Sequence, residues 1–136
     1  MRVNIKFFLV LIWGIILGIH TWTDSLYDLL RFQQIDFKWN PSPDFLSFFN
    51  LTDITKIHHF FIMVKTGHFL GFGLFDFLLF YWLRNHKKAL IISFCFALLT
   101  EVLQLFFYRD GRLYDLVIDF CGALAVSMLI KRYQKR

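Results

Sequence analysis

The sequence predicts an all-α fold, an integral membrane four-helix bundle that takes up residues 1–136 as a single domain. Hydrophobic residues make up 57% of the 136 residues and the mean hydropathy is +0.53, which is too apolar for an ordinary soluble domain of this size. The apolar residues form four stretches, and short clusters of lysine and arginine separate them. That alternation is typical of membrane-spanning helices joined by charged loops.

The first predicted span covers residues 3–22, which as a helix would measure about 30 Å and cross the hydrocarbon core of a bilayer. Arg2 and Lys6, at the start of this apolar run, also resemble the beginning of a signal peptide. No small-x-small cleavage site follows, so we predict that the helix is retained. Gly14 and Gly18 form a GxxxG pair, which would let a neighbouring helix approach closely.

Residues 23–59 interrupt the apolar pattern. Aspartates alternate there with aromatic and leucine residues, and Pro41 and Pro43 rule out a continuous helix. We predict an extracytoplasmic loop that carries short helices lying at the membrane interface. Asp24 is predicted to cap the first of these helices, with Leu26 on its buried face.

Three further spans are predicted at residues 60–83, 89–108 and 114–130. Basic clusters at residues 84–88 and 131–136, together with the one at the N-terminus, hold most of the fifteen Lys and Arg residues. The positive-inside rule places such clusters in the cytoplasm. We therefore predict a multi-pass protein of the cell membrane with cytoplasmic N- and C-termini and the long loop outside.

The last three spans contain six polar side chains that hydrocarbon disfavours. They come in pairs three or four residues apart: Lys65 and His68, Glu101 and Gln104, Asp115 and Asp119. A charged group at bilayer depth costs about 2.5–3.5 kcal/mol on insertion scales, so such groups persist mainly where they meet one another. Each pair shares one helix face, and the predicted topology puts all six within ~15 Å of the outer boundary. We predict a single polar site that opens outward.

The cations near this site indicate an anionic ligand. Lys65 and His68, with the loop residues Arg109 and Arg112, can bind a phosphate or a carboxylate. The carboxylates and the glutamine of the site would orient them. The predicted partners are the lipid bilayer and an anionic lipid or cell-wall precursor.

Other functions fit the same residue types. His68 beside Glu101 can act as acid or base in an enzyme whose substrate is linked to a lipid. Carboxylates that accept protons or a cation would suit a subunit of an ion-coupled carrier. The polar groups can also serve only to hold the bundle together, because charges in a low dielectric need partners.

Several function classes are not favoured. The basic residues are too dispersed for nucleic-acid binding, and no serine or cysteine is paired with a base. A zinc site formed by His68, Glu101, Asp115 and Asp119 is conceivable, but HExxH-type spacing is absent, so neither a metal nor another cofactor is predicted. Cys95 and Cys121 lie in apolar stretches without a CxxC motif and are predicted to be small buried hydrophobic residues.

Three motifs within residues 60–130 resemble those of a known family. In order, they are Lys65-x-x-His68-Phe69, then Glu101-x-x-Gln104 with a loop arginine, then Asp115-x3-Asp119-x2-Gly122. This order and spacing is similar to the K-x-x-H-F, E-x-x-Q, R and D-x3-N-x2-G pattern of the VanZ-like family. Asp119 departs from it, because the family usually has asparagine at that position. The resemblance implies a small integral membrane protein of a family named for a member associated with teicoplanin resistance, and hence an effect on the cell envelope and on glycopeptide susceptibility.

Overall fold

The all-α class is confirmed by the computed structural model, which describes residues 4–55 and 58–135. Its helices are α1 (Ile5–Trp22), α2 (Leu26–Phe32), α3 (His59–Leu83), α4 (His86–Phe106) and α5 (Leu113–Gln134), with 3₁₀ turns at Phe45–Phe49 and Thr52–Thr55. Within the described residues there is no β-strand. By length and composition, α1, α3, α4 and α5 are each able to cross a membrane.

Polar residues between the apolar stretches determine where the helices begin and end. The His58 ring nitrogen accepts a hydrogen bond from the backbone N–H of Phe61, and the Asn85 side chain accepts one from that of Lys88. Each bond satisfies a backbone N–H that the first turn of a helix leaves unpaired. At the other terminus, α5 continues to Gln134, beyond the predicted residue 130, because basic residues in its last turn favour a helix C-terminus.

The four long helices alternate in direction, so both termini lie at one end of the bundle. There His86 at the start of α4 lies 3.1 Å from the Gln134 side chain at the end of α5. The rings of Phe7 in α1 and Trp82 in α3 lie 5.0 Å apart at the same end. We call this the termini end, and the opposite end, which carries residues 23–55, the loop end.

Helix α3 is central and packs closely on α5. A Cβ at Gly122 would lie 2.0 Å from the carbonyl oxygen of Phe69, and one at Gly73 would lie 3.2 Å from the carbonyl of Gly122. The two backbones therefore touch, as small residues permit between membrane helices. This close approach lets short side chains of α5 reach side chains of α3.

Helix α3 carries two glycines four residues apart, Gly67 and Gly71, and α1 packs closely only on Gly71. A Cβ at Gly71 would lie 2.8 Å from Leu17, and the Trp13 indole N–H donates to the Gly71 carbonyl at 2.9 Å. Nothing lies within 4 Å of the position where Gly67 would carry a Cβ. The helices diverge toward the loop end and leave a space beside Gly67.

The prediction that the cysteines are buried is wrong. Cys95 and Cys121 are both exposed on the outside of the bundle. In a membrane protein the surface that faces lipid is itself apolar, so an apolar environment in the sequence does not distinguish the core from the outer surface.

Residues 23–55, which we call the loop segment, fold differently from the prediction at their start. Ser25 caps α2 by accepting a hydrogen bond from the backbone N–H of Asp28, and no residue of α2 is buried. Asp24 instead pairs with Lys38, whose ammonium lies 2.5 Å from the carboxylate. This hydrogen bond raises the pKa of Lys38 above its ordinary value. The predicted Asp24 cap is therefore wrong, because its carboxylate has a cationic partner available.

The loop segment is fixed to the end of α4. The backbone N–H of Asn40 donates to the carbonyl of Phe106 at 2.7 Å, and the Trp39 ring stacks on the Phe106 ring at 5.3 Å. These contacts satisfy a carbonyl that the last turn of α4 would otherwise leave unpaired. The segment consequently covers the loop end of the bundle.

Candidate functional site

The six polar residues of the spans meet near the loop end, and they pair mainly across helices. Lys65 and His68 come from the first turns of α3, Glu101 and Gln104 from the last turns of α4, and Asp115 and Asp119 from the start of α5. Residues three or four apart share a face of each helix. One face of α3 thus contacts one face of α5 at two successive turns, with α4 alongside.

Lys65 forms an ion pair with Asp115. Its ammonium lies 2.6 Å from Oδ1 and 2.7 Å from Oδ2 of the carboxylate. The rings of Phe61 and Tyr114 flank the ammonium, each with its centre 4.9 Å away, which adds cation–π attraction. Little net charge of Lys65 is left for a ligand unless that ligand competes with Asp115.

His68 forms the second pair, with Asp119. Its Nδ1 lies 2.9 Å from Oδ1 of Asp119 and 3.8 Å from Oε1 of Glu101. Both carboxyl groups are fully buried, and Oδ2 of Asp119 has no hydrogen-bond partner. The imidazole therefore lies between two carboxyl groups, one in direct contact and one behind it.

The same three side chains are also close enough to share a cation. His68, Glu101 and Asp119 each place one ligand atom within 4.8 Å of the others. One imidazole and two carboxylates form a donor set that zinc accepts in proteins, although coordination would require these atoms to move closer. Three of the four residues that the sequence offered as a conceivable zinc site are thus brought together, and Asp115 is not part of this group.

Glu101 joins α4 to the turn that follows it. Its Oε1 accepts a hydrogen bond from the Gln104 amide at 3.0 Å, and its Oε2 accepts one from the backbone N–H of Arg112, also at 3.0 Å. A Cβ at Gly111 would lie 2.0 Å from the backbone carbonyl oxygen of Glu101. The turn thus lies directly on the helix, at a distance that only glycine permits.

Arg112 is turned away from the six polar residues and binds the loop segment. Its guanidinium donates to the Asp53 carboxylate at 2.9 Å, to the carbonyl of Ser47 at 2.7 Å and to the Asp110 carboxylate at 3.1 Å. Its donors are largely used by these partners. Sequence reasoning missed Asp53 and Ser47, because their only sequence signal is the general abundance of polar residues in the loop.

Arg109, the other loop arginine, is differently placed. One of its terminal nitrogens donates to the backbone carbonyl of Asp24 at 3.1 Å, and its Nε is buried without a partner. Among the described residues no carboxylate lies within ion-pair distance of it. Burial lowers the pKa of Arg109 from its ordinary value, because desolvation disfavours the charged form, yet arginine stays protonated in proteins.

A polar cavity of about 440 Å³ opens at the loop end. Five of the eight sequence-predicted site residues line it: Lys65, His68, Gln104, Arg109 and Asp115. The other three, Glu101, Arg112 and Asp119, lie behind the wall and contact residues that form it. Polar residues that sequence reasoning did not select as site residues also line the cavity: Asp24, Asp53, His58, Tyr108, Asp110 and Tyr114.

Comparison with known proteins adds an independent observation. A family described as VanZ/LLP1 matches residues 5–134. The chain is 38% identical over 102 residues to a relative described as "Uncharacterized membrane protein YwnJ" from Bacillus subtilis (strain 168), an alignment that covers 74% of this chain and 71% of the relative. No solved structure matches the chain.

Proposed function

Because the chain belongs to the VanZ/LLP1 family, we propose that it is a multi-pass membrane protein whose polar cavity binds an anionic group of a lipid or cell-wall precursor. The cavity faces outward and both termini are cytoplasmic in this proposal. The basic clusters at the termini end support that orientation through the positive-inside rule. Binding of this kind would alter the susceptibility of the cell envelope to glycopeptides such as teicoplanin.

The observation that carries the proposal is the state of Arg109. Arg109 lines the cavity, its one side-chain hydrogen bond goes to a backbone carbonyl, and it is the arginine of the site without a carboxylate partner in the described part of the chain. An anionic ligand in the cavity would be attracted by the charge of Arg109, which no carboxylate of the described residues pairs with, and could accept charge-assisted hydrogen bonds from its terminal nitrogens. Arg109 is therefore the primary anion-binding residue of this proposal.

Two other cavity residues can add donors. The Lys65 ammonium has three N–H groups, and its contacts with Asp115 leave at least one for a ligand. The Gln104 amide uses one N–H on Glu101 and retains the other. Arg112 and Glu101 would act as positioning residues, since they fix the turn that places Arg109.

A binding measurement tests this proposal. The purified protein is titrated in detergent with butyl phosphate, a soluble anion with a short alkyl group, and heat release gives the dissociation constant. Arg109→Gln should weaken binding by about tenfold or more, as expected for loss of a charge-assisted hydrogen bond. Arg31→Gln is the matched control, because Arg31 is exposed on α2 and lines neither this cavity nor the apolar one beside it.

Two outcomes would contradict the proposal. One is a wild-type protein that does not bind the anion, and the other is an Arg109→Gln variant that binds it as tightly as wild type. In cells that lack the protein, wild type should restore the original teicoplanin susceptibility and Arg109→Gln should not. Equal restoration by both would remove Arg109 from the mechanism.

The arrangement around His68 favours a second candidate, an enzyme that acts on a lipid-linked substrate. His68 lines the cavity, while Glu101 and Asp119 lie behind it and can hold its proton and its orientation. In this alternative His68 contacts the substrate and Glu101 acts through it. Turnover should then disappear in Glu101→Gln while the protein stays folded, and binding without any turnover would exclude the enzyme.

A further inference from the structure

A second cavity, apolar and about 360 Å³ in volume, lies between α1, α2 and α3. Its wall includes Trp13, Leu17, Leu30, Met63 and Phe72. Leu30 and Met63 are 52% and 48% exposed, so the cavity is open along one side of the bundle. We call it the apolar groove. Around membrane helices this side faces the hydrocarbon chains of the bilayer.

The apolar groove and the polar cavity are neighbours that share part of their walls. Val64 and His68 belong to the walls of both, one turn apart on α3. A molecule with a polar head and a hydrocarbon tail would therefore find complementary surroundings on either side of these two residues. Neither cavity alone would select such a molecule.

The length of the apolar groove fits a lipid chain from one leaflet. From Met63 to Phe72 it follows α3 for nine residues, roughly 14 Å at 1.5 Å per residue. The hydrocarbon core of a bilayer is about 30 Å thick, so one leaflet contributes about half of that depth. The groove begins near the loop end, at the level of the polar cavity, and runs toward the bundle centre as a lipid chain does.

We propose that the ligand is an anionic lipid whose hydrocarbon chain lies in the apolar groove while its anionic head lies in the polar cavity. This inference rests on the proposed function, because Arg109 must hold the head. It goes further because it assigns a binding place to the hydrocarbon chain of the ligand. Contacts with that hydrocarbon chain would let the protein distinguish a lipid from a free anion. Gly67 forms the part of the groove wall that leaves room for the chain.

Gly67 offers a precise way to fill the groove. No atom lies within 4 Å of an added Cβ there, whereas a Cβ at Gly71 would clash with Leu17. A side chain at position 67 therefore starts in open space beside the groove, and a phenylalanine there is expected to fill it. Two variants serve as controls. Gly67→Ala replaces the glycine but leaves the groove open. Leu70→Phe adds a phenyl ring elsewhere on α3, at a residue that is 62% exposed.

The test compares dodecyl phosphate, butyl phosphate and inorganic phosphate as ligands of the detergent-purified protein. Gly67→Phe should weaken dodecyl phosphate binding at least tenfold more than it weakens butyl phosphate binding, as expected when two or more methylenes leave an apolar site. Comparing variants in the same micelles cancels the partition of each ligand into detergent. Gly67→Ala and Leu70→Phe should preserve the wild-type ratio, and Gly67→Leu replaces Gly67→Phe if the latter does not fold.

The outcomes separate this inference from the proposed function. If Gly67→Phe changes the binding of both alkyl phosphates equally, the alkyl chain of the ligand does not lie in the groove and the inference is overturned. The proposed binding of an anion would be unaffected by that result. Inorganic phosphate that binds as tightly as dodecyl phosphate would also overturn it, because a free anion would then be the ligand. If Arg109→Gln leaves every ligand unaffected, the proposed function itself fails.

Discussion

Replacing Gly111 by alanine is expected to separate the α4–α5 turn from α4. The new Cβ would lie 2.0 Å from the carbonyl oxygen of Glu101, 3.1 Å from its carbonyl carbon and 3.2 Å from Cβ of Gln104. Ordinary contact begins at 3.4 Å, so the turn must move by more than 1 Å. No flexible side-chain end is available to yield, because the two nearest atoms belong to the backbone of a helix and the third is a Cβ that moves only with that backbone.

The cost follows from what that movement breaks. The backbone N–H of Arg112 donates to the Glu101 carboxylate at 3.0 Å, and a shift of this size takes it beyond hydrogen-bond distance. Leaving a buried donor without its partner costs about 1–3 kcal/mol, and residual overpacking adds about 1–3 kcal/mol. Alanine also lowers the conformational entropy of the unfolded chain relative to glycine, which stabilises the folded protein by about 0.4–1 kcal/mol. The expected net loss is about 1–6 kcal/mol.

Reversible unfolding in mixed micelles measures this loss. The fraction of sodium dodecyl sulfate is raised and tryptophan fluorescence is followed for wild type, Gly111→Ala and Gly67→Ala. Gly67→Ala is the matched control, since nothing surrounds its new Cβ and alanine favours a helix by up to ~1 kcal/mol. The reasoning would be refuted by a Gly111→Ala protein as stable as wild type, or by two variants destabilised to the same extent.

Three more predictions concern the ion pairs. Asp119→Asn keeps an oxygen for the contact with His68 and introduces the asparagine of the VanZ-like pattern. Its unfolding free energy should therefore stay within about 1 kcal/mol of wild type, whereas Asp119→Leu should lose about 2 kcal/mol of stability. Arg112→Lys cannot reproduce the planar fork of donors, so protease should cut the loop segment several-fold faster. The hydrogen bond to Asp24 raises the pKa of Lys38. The Lys38–Asp24 pair therefore contributes its full stability below the ordinary lysine pKa, and this contribution disappears as the pH rises through the raised pKa. Lys38→Gln should abolish that alkaline loss of stability.

Each of these predictions has an outcome that contradicts it. For Asp119 it is an asparagine variant as unstable as the leucine variant in thermal unfolding. For Arg112 it is an unchanged cleavage rate with Lys in its place. For Lys38 it is an alkaline loss of stability, measured by pH-dependent unfolding, that persists in Lys38→Gln.

Hydropathy and charge were sufficient to predict the all-helical class, because four apolar stretches of membrane length leave few other folds. The polar pairs also indicated which helix faces meet, since Lys65 and His68 repeat at nearly the same spacing as Asp115 and Asp119. The partner of each residue could not be predicted in this way. Spacing fixes a face of a helix but not the rotation and height of that helix against its neighbour.

The two arginines of the turn show where sequence reasoning ends. Arg109 and Arg112 are three residues apart and equally charged, so composition makes both candidates for the same ligand. The structure separates them because the loop segment supplies Asp53 to one and only a backbone carbonyl to the other. Such a difference depends on contacts between residues more than 50 positions apart, which local patterns do not contain.

The pairing of α3 with α5 has a consequence for how the protein enters the membrane. Lys65 and His68 find their carboxylates 50 and 51 residues later in the chain. At ordinary synthesis rates the ribosome needs roughly 3 to 10 seconds to make that length. During this interval α3 carries a cationic side chain that lipid rejects by about 2.5–3.5 kcal/mol, with no protein partner yet made. Until α5 is made, α3 in the bilayer would carry this cost, and its pairing with α5 removes it.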